Sequence, residues 1–221
     1  MEMVNYIAII GSRSVGIELP TSDFDILSTD KSFVYDKSDK WHLINTNTER
    51  VIRELSCTAN KPFSFQALYP YEFLQENELS KYILDNRENI IRNNLPNLYN
   101  IYITRATSAY RDLRMLLPKS NKKRIIYALI YLDSLVRYSS GDISFGEAFK
   151  PEGTFKDLIM NIRYNRFTDL DKLYSIFEQS MGNAMAAADF YSNKDTASIM
   201  KTIEDLEGIF ETKIDRSELC L

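Results

Sequence analysis

Gly11-Ser12-Arg13-Ser14-Val15-Gly16-Ile17-Glu18-Leu19-Pro20-Thr21-Ser22-Asp23-Phe24-Asp25-Ile26 is the stretch on which the fold turns. It follows Val4 to Ile10, a short apolar run rich in β-branched residues that stops at Gly11-Ser12, and this pattern predicts a buried strand. Thr21-Ser22 then introduces a second strand, Asp23-Phe24-Asp25-Ile26-Leu27, in which acids alternate with apolar residues. Residues two apart on a strand point to the same side, about 6.6 Å apart, so Asp23 and Asp25 aim both carboxylates at one or two hard cations.

Upstream of the acid pair, Gly11 leaves room for a phosphate to approach the backbone, and Ser12 supplies a hydroxyl. The start of a helical turn after Ser12 is expected to add free N–H groups, completing an anion cradle. Cradle and acids then face the same triphosphate. Such a strand-turn-strand unit suits nucleotidyl transfer, in which divalent cations clamp the attacking and leaving oxygens and a carboxylate helps to deprotonate the acceptor hydroxyl. An Asp-x-Asp pair alone is common on exposed strands and loops; the Gly-Ser turn upstream and Ser22 immediately before the pair make the pattern specific.

Working outward, Trp41 to Asn45 reads as a third strand after the polar loop Asp30 to Lys40, so a small mixed sheet fills the first fifty residues. Beyond Thr48 the apolar spacing turns helical, through Val51, Ile52, Leu55 and on to Ile90 and Ile91. Further helices are expected over Leu98–Leu117, Lys122–Tyr138, Thr154–Arg163, Asp169–Ala187 and Thr196–Phe210, with Pro118, Gly141 and Pro151 as breaks. The expected fold is α+β, a small N-terminal sheet of nucleotidyltransferase type followed by a mostly α-helical region. The domain boundary is placed at 75/76, with a nucleotidyltransferase core in 1–75 and a helical domain in 76–221.

Composition narrows the chemistry. The chain has 221 residues, 27 Lys and Arg against 31 Asp and Glu, and a net charge of −4, so a polyanion must be held by a local patch rather than a global field. Cys57 and Cys220 are the only cysteines and have no CxxC or Cys/His grouping, which argues against a zinc site or a disulfide scaffold. His42 is the only histidine; lying in the apolar run Trp41-His42-Leu43-Ile44, it reads as structural rather than as a member of a Ser/His/Asp triad. No cationic segment precedes an apolar run at the N-terminus, and the most apolar stretch, Ile125 to Val136, is interrupted by Tyr127, Tyr131 and Asp133. Neither a signal peptide nor a membrane span is expected, and a reducing cytoplasm is the expected location.

GSRSVGIELPTSDFDIL resembles the Gly-Ser…Ser-Asp-x-Asp signature of the DNA polymerase beta superfamily. More narrowly, it is similar to bacterial and phage predicted nucleotidyltransferases that include RNA-ligase-associated members, whose signature continues after Gly-Ser-Arg to a Gly and then Pro-x-Ser-Asp. The resemblance implies an NTP substrate, Mg²⁺ or Mn²⁺ held by Asp23 and Asp25, and nucleotide contacts from Gly11, Ser12, Arg13 and Ser22. It extends more weakly to Ala59-Asn60-Lys61-Pro62, Leu68-Tyr69-Pro70 and the helix start Lys122-Lys123-Arg124, where Lys123 would neutralise a triphosphate. An RNA end is the acceptor that it favours, with a protein hydroxyl or a small molecule as alternatives.

Two departures stand out. The superfamily places a third carboxylate on a later strand, but Trp41–Asn45 contains none, so Glu49 is the nearest candidate, with Asp39 and Glu54 behind it. After Lys123 the pattern expects a His and an Arg where this chain has Tyr127 and Ile130. The missing acid motivates an alternative of another class, a catalytically degenerate protein that binds nucleotide or a partner protein without turnover.

Overall fold

The structure, a computed structural model, describes residues 4–37, 40–57, 63–114, 122–167, 169–193 and 195–219. It is α+β: a four-stranded mixed sheet near the N-terminus, then mostly helices. The strands are β1 (Ile7–Ile10), β2 (Phe24–Ser28), β3 (Trp41–Asn45) and β4 (Glu72–Phe73), in the spatial order β3-β2-β1-β4. β1 is antiparallel to both β2 and β4, whereas β2 and β3 are parallel.

The chain forms two compact units, one of residues 1–97 with 194–221, the other of residues 98–193. This division differs from the sequence boundary at 75/76. Helix α3 (Glu78–Asn93) and the C-terminal helix α9 (Thr196–Phe210) pack with each other, and α9 also packs on α1 (Thr48–Cys57), so both ends of the chain belong to the unit that holds the sheet. Asn77 caps α3 in a reciprocal capping box with Ser80, and Asp195 caps α9 by accepting the Ser198 N–H at 3.0 Å.

Alternation in the strands divides the sheet into two faces. Ile7, Ile9 and Ile26 form one face with buried Tyr35, and Phe24, Phe33, Trp41, Leu43 and Leu74 pack around them. The register pairs Ala8 with Leu27 and Ile10 with Asp25, so Asp25 stands on the opposite face, at the end of the β1–β2 ladder. Short helix α2 (Phe63–Leu68) lies against β1, and the buried Tyr6 hydroxyl donates to the Ala67 carbonyl at 2.9 Å.

In the first unit, the chain after α9 is held by one carboxylate. Glu207, 1% exposed at its side chain, accepts from the Ile214 N–H at 2.9 Å, from Lys213 Nζ at 2.9 Å and from Arg216 at 3.0 Å. Burial pushes its carboxyl pKa up, but these hydrogen bonds and the Lys213 charge outweigh burial and hold it below the ordinary value of 4.5. A depressed folded pKa contributes stability that is present above the unfolded value and lost as pH falls through the folded one. Glu207→Ala is expected to cost about 1–3 kcal/mol, because the Ile214 N–H is left buried and unpaired. Urea unfolding at pH 7 and at pH 3 checks this: the deficit is expected at pH 7 and should shrink in acid, as wild type loses the same contribution.

The second unit is built around α5 (Lys122–Ser139), against which α6 (Phe145–Ala148), α7 (Gly153–Arg163) and α8 (Leu170–Ala186) pack. Most of α4 (Leu95–Arg114) also belongs to this unit. Its core is aromatic: Tyr102 of α4 stacks on Tyr131 of α5 with centroids 4.4 Å apart, and Phe149 stacks on Tyr131 at 5.8 Å. Arg137 binds the carbonyls of Ala148 and Lys150 and pairs with Glu152 at 3.0 Å, fastening the α6–α7 connection to α5. Among the described residues no helix is long and apolar enough to cross a membrane.

Candidate functional site

The site begins where β1 ends. Gly11 turns the chain at φ +81°, a left-handed conformation that favours glycine, and its N–H donates to the buried Gln66 side-chain oxygen at 3.2 Å. A β-carbon on Gly11 would stand 2.2 Å from Asp25 Oδ2 and 3.0 Å from Asp25 Cγ. The missing side chain of Gly11 is therefore the space that the Asp25 carboxylate fills.

From Gly11 to Gly16 the chain makes successive turns rather than the start of the expected helix, since two glycines with positive φ bracket the segment. The Ser14 hydroxyl donates to the Gly11 carbonyl at 2.8 Å, and the Ile17 N–H to the Ser12 carbonyl at 3.0 Å. Val15 and Ile17, both fully buried, anchor the loop. Ser12 is itself buried.

Arg13 and Ser22 fasten the loop to β2. The Arg13 guanidinium donates to the Ser22 carbonyl at 3.1 Å and lies 3.9 Å over the Phe24 ring, a cation–π contact. The Ser22 hydroxyl accepts the Leu19 N–H at 2.8 Å and the Ser22 N–H donates to the Leu19 carbonyl at 2.9 Å, closing the 19–22 turn that delivers Asp23. Both residues thus shape the backbone that carries the acid pair.

Asp23 is exposed and stands immediately before β2, while Asp25, its side chain 26% exposed, is the second residue of the strand. The parallel ladder pairs Asp25 with His42 on β3, and Asp25 Oδ1 lies 3.6 Å from His42 Nδ1. His42 is 68% exposed at its side chain. The reading of this histidine as part of an apolar strand is therefore revised: β3 is an edge strand, Trp41 and Leu43 join the apolar cluster, and His42 faces the other way.

Glu49 sits in the first turn of α1, about half exposed, 3.9 Å from Arg53. Glu54 is buried and held by Arg50 at 2.7 Å. Asp39 lies outside the described residues. Among the described residues no three or more His, Cys, Asp or Glu side chains are gathered as a metal-holding group. Lys123 is exposed in the first turn of α5 and belongs to the other unit, where neighbouring Arg124 pairs with Asp112 and donates to Ser108 at 2.9 Å. The structure thus brings together Gly11, Asp25 and His42, with Arg13 and Ser22 behind them, and adds Gln66 and His42 as residues that the sequence did not assign to the site.

The donors suit a hard divalent cation. Asp25 presents a half-buried carboxylate with one oxygen turned to the Gly11 backbone and the other to His42, and Asp23 adds an exposed carboxylate two residues earlier. Comparisons of the chain with protein-family models, with curated proteins and with solved structures find no match.

Proposed function

We propose that this chain is a metal-dependent nucleotidyltransferase that moves a nucleoside monophosphate from an NTP to a hydroxyl acceptor, with an RNA end as the favoured acceptor. The observation that carries the reading is the packing of the Gly11 backbone against the Asp25 carboxylate, which joins the Gly-Ser turn to the acid pair in one place. Bound at Asp23 and Asp25, Mg²⁺ or Mn²⁺ would neutralise the triphosphate and the charge that develops at the reacting phosphorus. The chain's own residues bind, orient and accept protons.

In the proposed reaction the acceptor oxygen forms a bond to the α-phosphorus, the bond from that phosphorus to the bridging oxygen breaks, and pyrophosphate leaves. The hydroxyl proton passes to a carboxylate, for which Glu49 is the candidate. Gly11 and Ser12 line the approach of the triphosphate. Arg13 and Ser22 fix the loop around it.

The local charge supports an RNA acceptor. Between Leu98 and Arg124 the chain carries seven Lys and Arg, namely Arg105, Arg111, Arg114, Lys119, Lys122, Lys123 and Arg124, against the single acid Asp112. A local excess of six positive charges in a chain of net −4 is the sequence feature that supports a polyanion partner in this reading.

The test is to incubate the protein with each α-labelled NTP, Mg²⁺ or Mn²⁺, and separate RNA and protein pools. Label in RNA with release of pyrophosphate is the expected result. Nucleotide binding without pyrophosphate release from any pool would instead establish the degenerate binding module, the alternative motivated by the third carboxylate that Trp41–Asn45 lacks. Glu49→Gln is expected to lower kcat by about 10²-fold, the loss typical of a removed base. An unchanged rate takes Glu49 out of the mechanism.

A further inference from the structure

The contact between Asp25 and His42 has no sufficient structural reason. At 3.6 Å the Oδ1–Nδ1 separation is too long for a direct hydrogen bond. With His42 68% exposed, an ion pair between them adds little to stability. Yet the parallel register places the two side chains on the same face of neighbouring strands, at the mouth of the Gly11 turn.

Two donors of one six-coordinate cation, with bonds of about 2.1 Å, stand about 3 Å apart at right angles. The pair needs to close by only about 0.6 Å to meet that separation, well within the reach of an exposed imidazole. Asp25 divides its two oxygens accordingly: Oδ2 is turned to the Gly11 backbone and Oδ1 to His42. We propose that His42 is a metal ligand, binding the same divalent cation as Asp25 through its ring nitrogen. This rests on the metal-binding part of the proposed function and gives the site a mixed oxygen and nitrogen donor set.

Two close protein donors suffice for such a site, because a nucleotide-bound cation takes its remaining ligands from phosphate oxygens and water. The nitrogen donor has a consequence for the choice of metal: imidazole favours transition ions, so Mn²⁺ is selected over Mg²⁺ more strongly than by a set of carboxylates alone.

The experiment is pulsed electron paramagnetic resonance of Mn²⁺ bound to the full chain with an α,β-methylene NTP analogue, which has no nitrogen in its phosphate chain. Wild type is expected to show ¹⁴N hyperfine coupling from a histidine nitrogen, absent in His42→Ala and His42→Asp. Calorimetric titration should show Mn²⁺ affinity falling about tenfold or more in His42→Ala, and His42→Asp moving the preference back toward Mg²⁺. Wild-type coupling that persists in both variants, or bound Mn²⁺ without nitrogen coupling, overturns the assignment. His42→Asn, similar in size and also exposed, serves as the second variant if His42→Ala fails to fold. Transfer activity without nitrogen coupling sinks this inference alone, whereas nitrogen coupling without transfer to any acceptor sinks the transferase reading and leaves the metal site standing.

Discussion

Asp25→Asn is expected to lower metal-dependent transfer by at least about 10³-fold and to leave the thermal unfolding midpoint nearly unchanged. The substitution keeps the side chain's shape beside Gly11, so no cavity opens and the contact with the turn persists. What is lost is an anionic ligand, and with it several kcal/mol of charge stabilisation at the reacting phosphate, each 1.4 kcal/mol being a decade in rate. Asp23→Asn is expected to act in the same direction, with even less effect on folding, because Asp23 is exposed. Steady-state pyrophosphate release and circular dichroism melts of both variants decide the matter. Parent-like transfer and metal binding in both would make the acid pair structural, and the transferase reading would fall with it.

Gly11→Ala, at the turn that ends β1, should damage both stability and metal binding. The new β-carbon meets Asp25 Oδ2 at 2.2 Å, so the carboxylate must swing away from the turn, and the backbone must hold φ +81° with a side chain attached. Left-handed strain at a non-glycine residue costs about 1–3 kcal/mol, before any loss of metal binding by the displaced Asp25. Gly16→Ala is the control: it has φ +66° and nothing within 4 Å of the added carbon. Both variants should lose stability from the backbone, but only Gly11→Ala should also weaken Mn²⁺ binding. Equal Mn²⁺ affinity in the two would show that Gly11 does not position Asp25.

The strands were legible where their apolar period was clear. Trp41–Asn45 matches β3 residue for residue, and Asp23–Leu27 matches β2 with a shift of one, because the first ladder pairing of β2 belongs to Phe24. The long helices followed for the same reason, their apolar faces repeating over several turns. β4 was not legible: two residues show no period, and β4 exists because β1 offers an edge to it, with Leu74 N–H bonding the Ile7 carbonyl at 2.9 Å. Nor does alternation tell a parallel neighbour from an antiparallel one, so the facing of Asp25 and His42 was hidden. A signal for His42 was present nonetheless. Trp41 and Leu43 are apolar and His42 lies between them, which is the alternation of a half-covered strand rather than a continuous buried run. Gln66 meets Gly11 from 55 positions away, and no local pattern reports a contact of that range.

The chain leaves the sheet-bearing unit after residue 97 and returns to it at 194, and the two crossing points are neighbours: Asp195 N–H bonds the Asn93 carbonyl at 3.4 Å. In architectural terms, the helices of 98–193 are an insertion in the sequence of the other unit rather than a domain appended to one end. During synthesis residues 98–193 are complete while the host unit still lacks α9, so the host closes last. Because exit and return are adjacent, a few flexible residues would span the gap left by excising the insertion, and the loop entropy of so short a link is small. A spliced chain of this kind that fails to fold would show instead that the host depends on its guest.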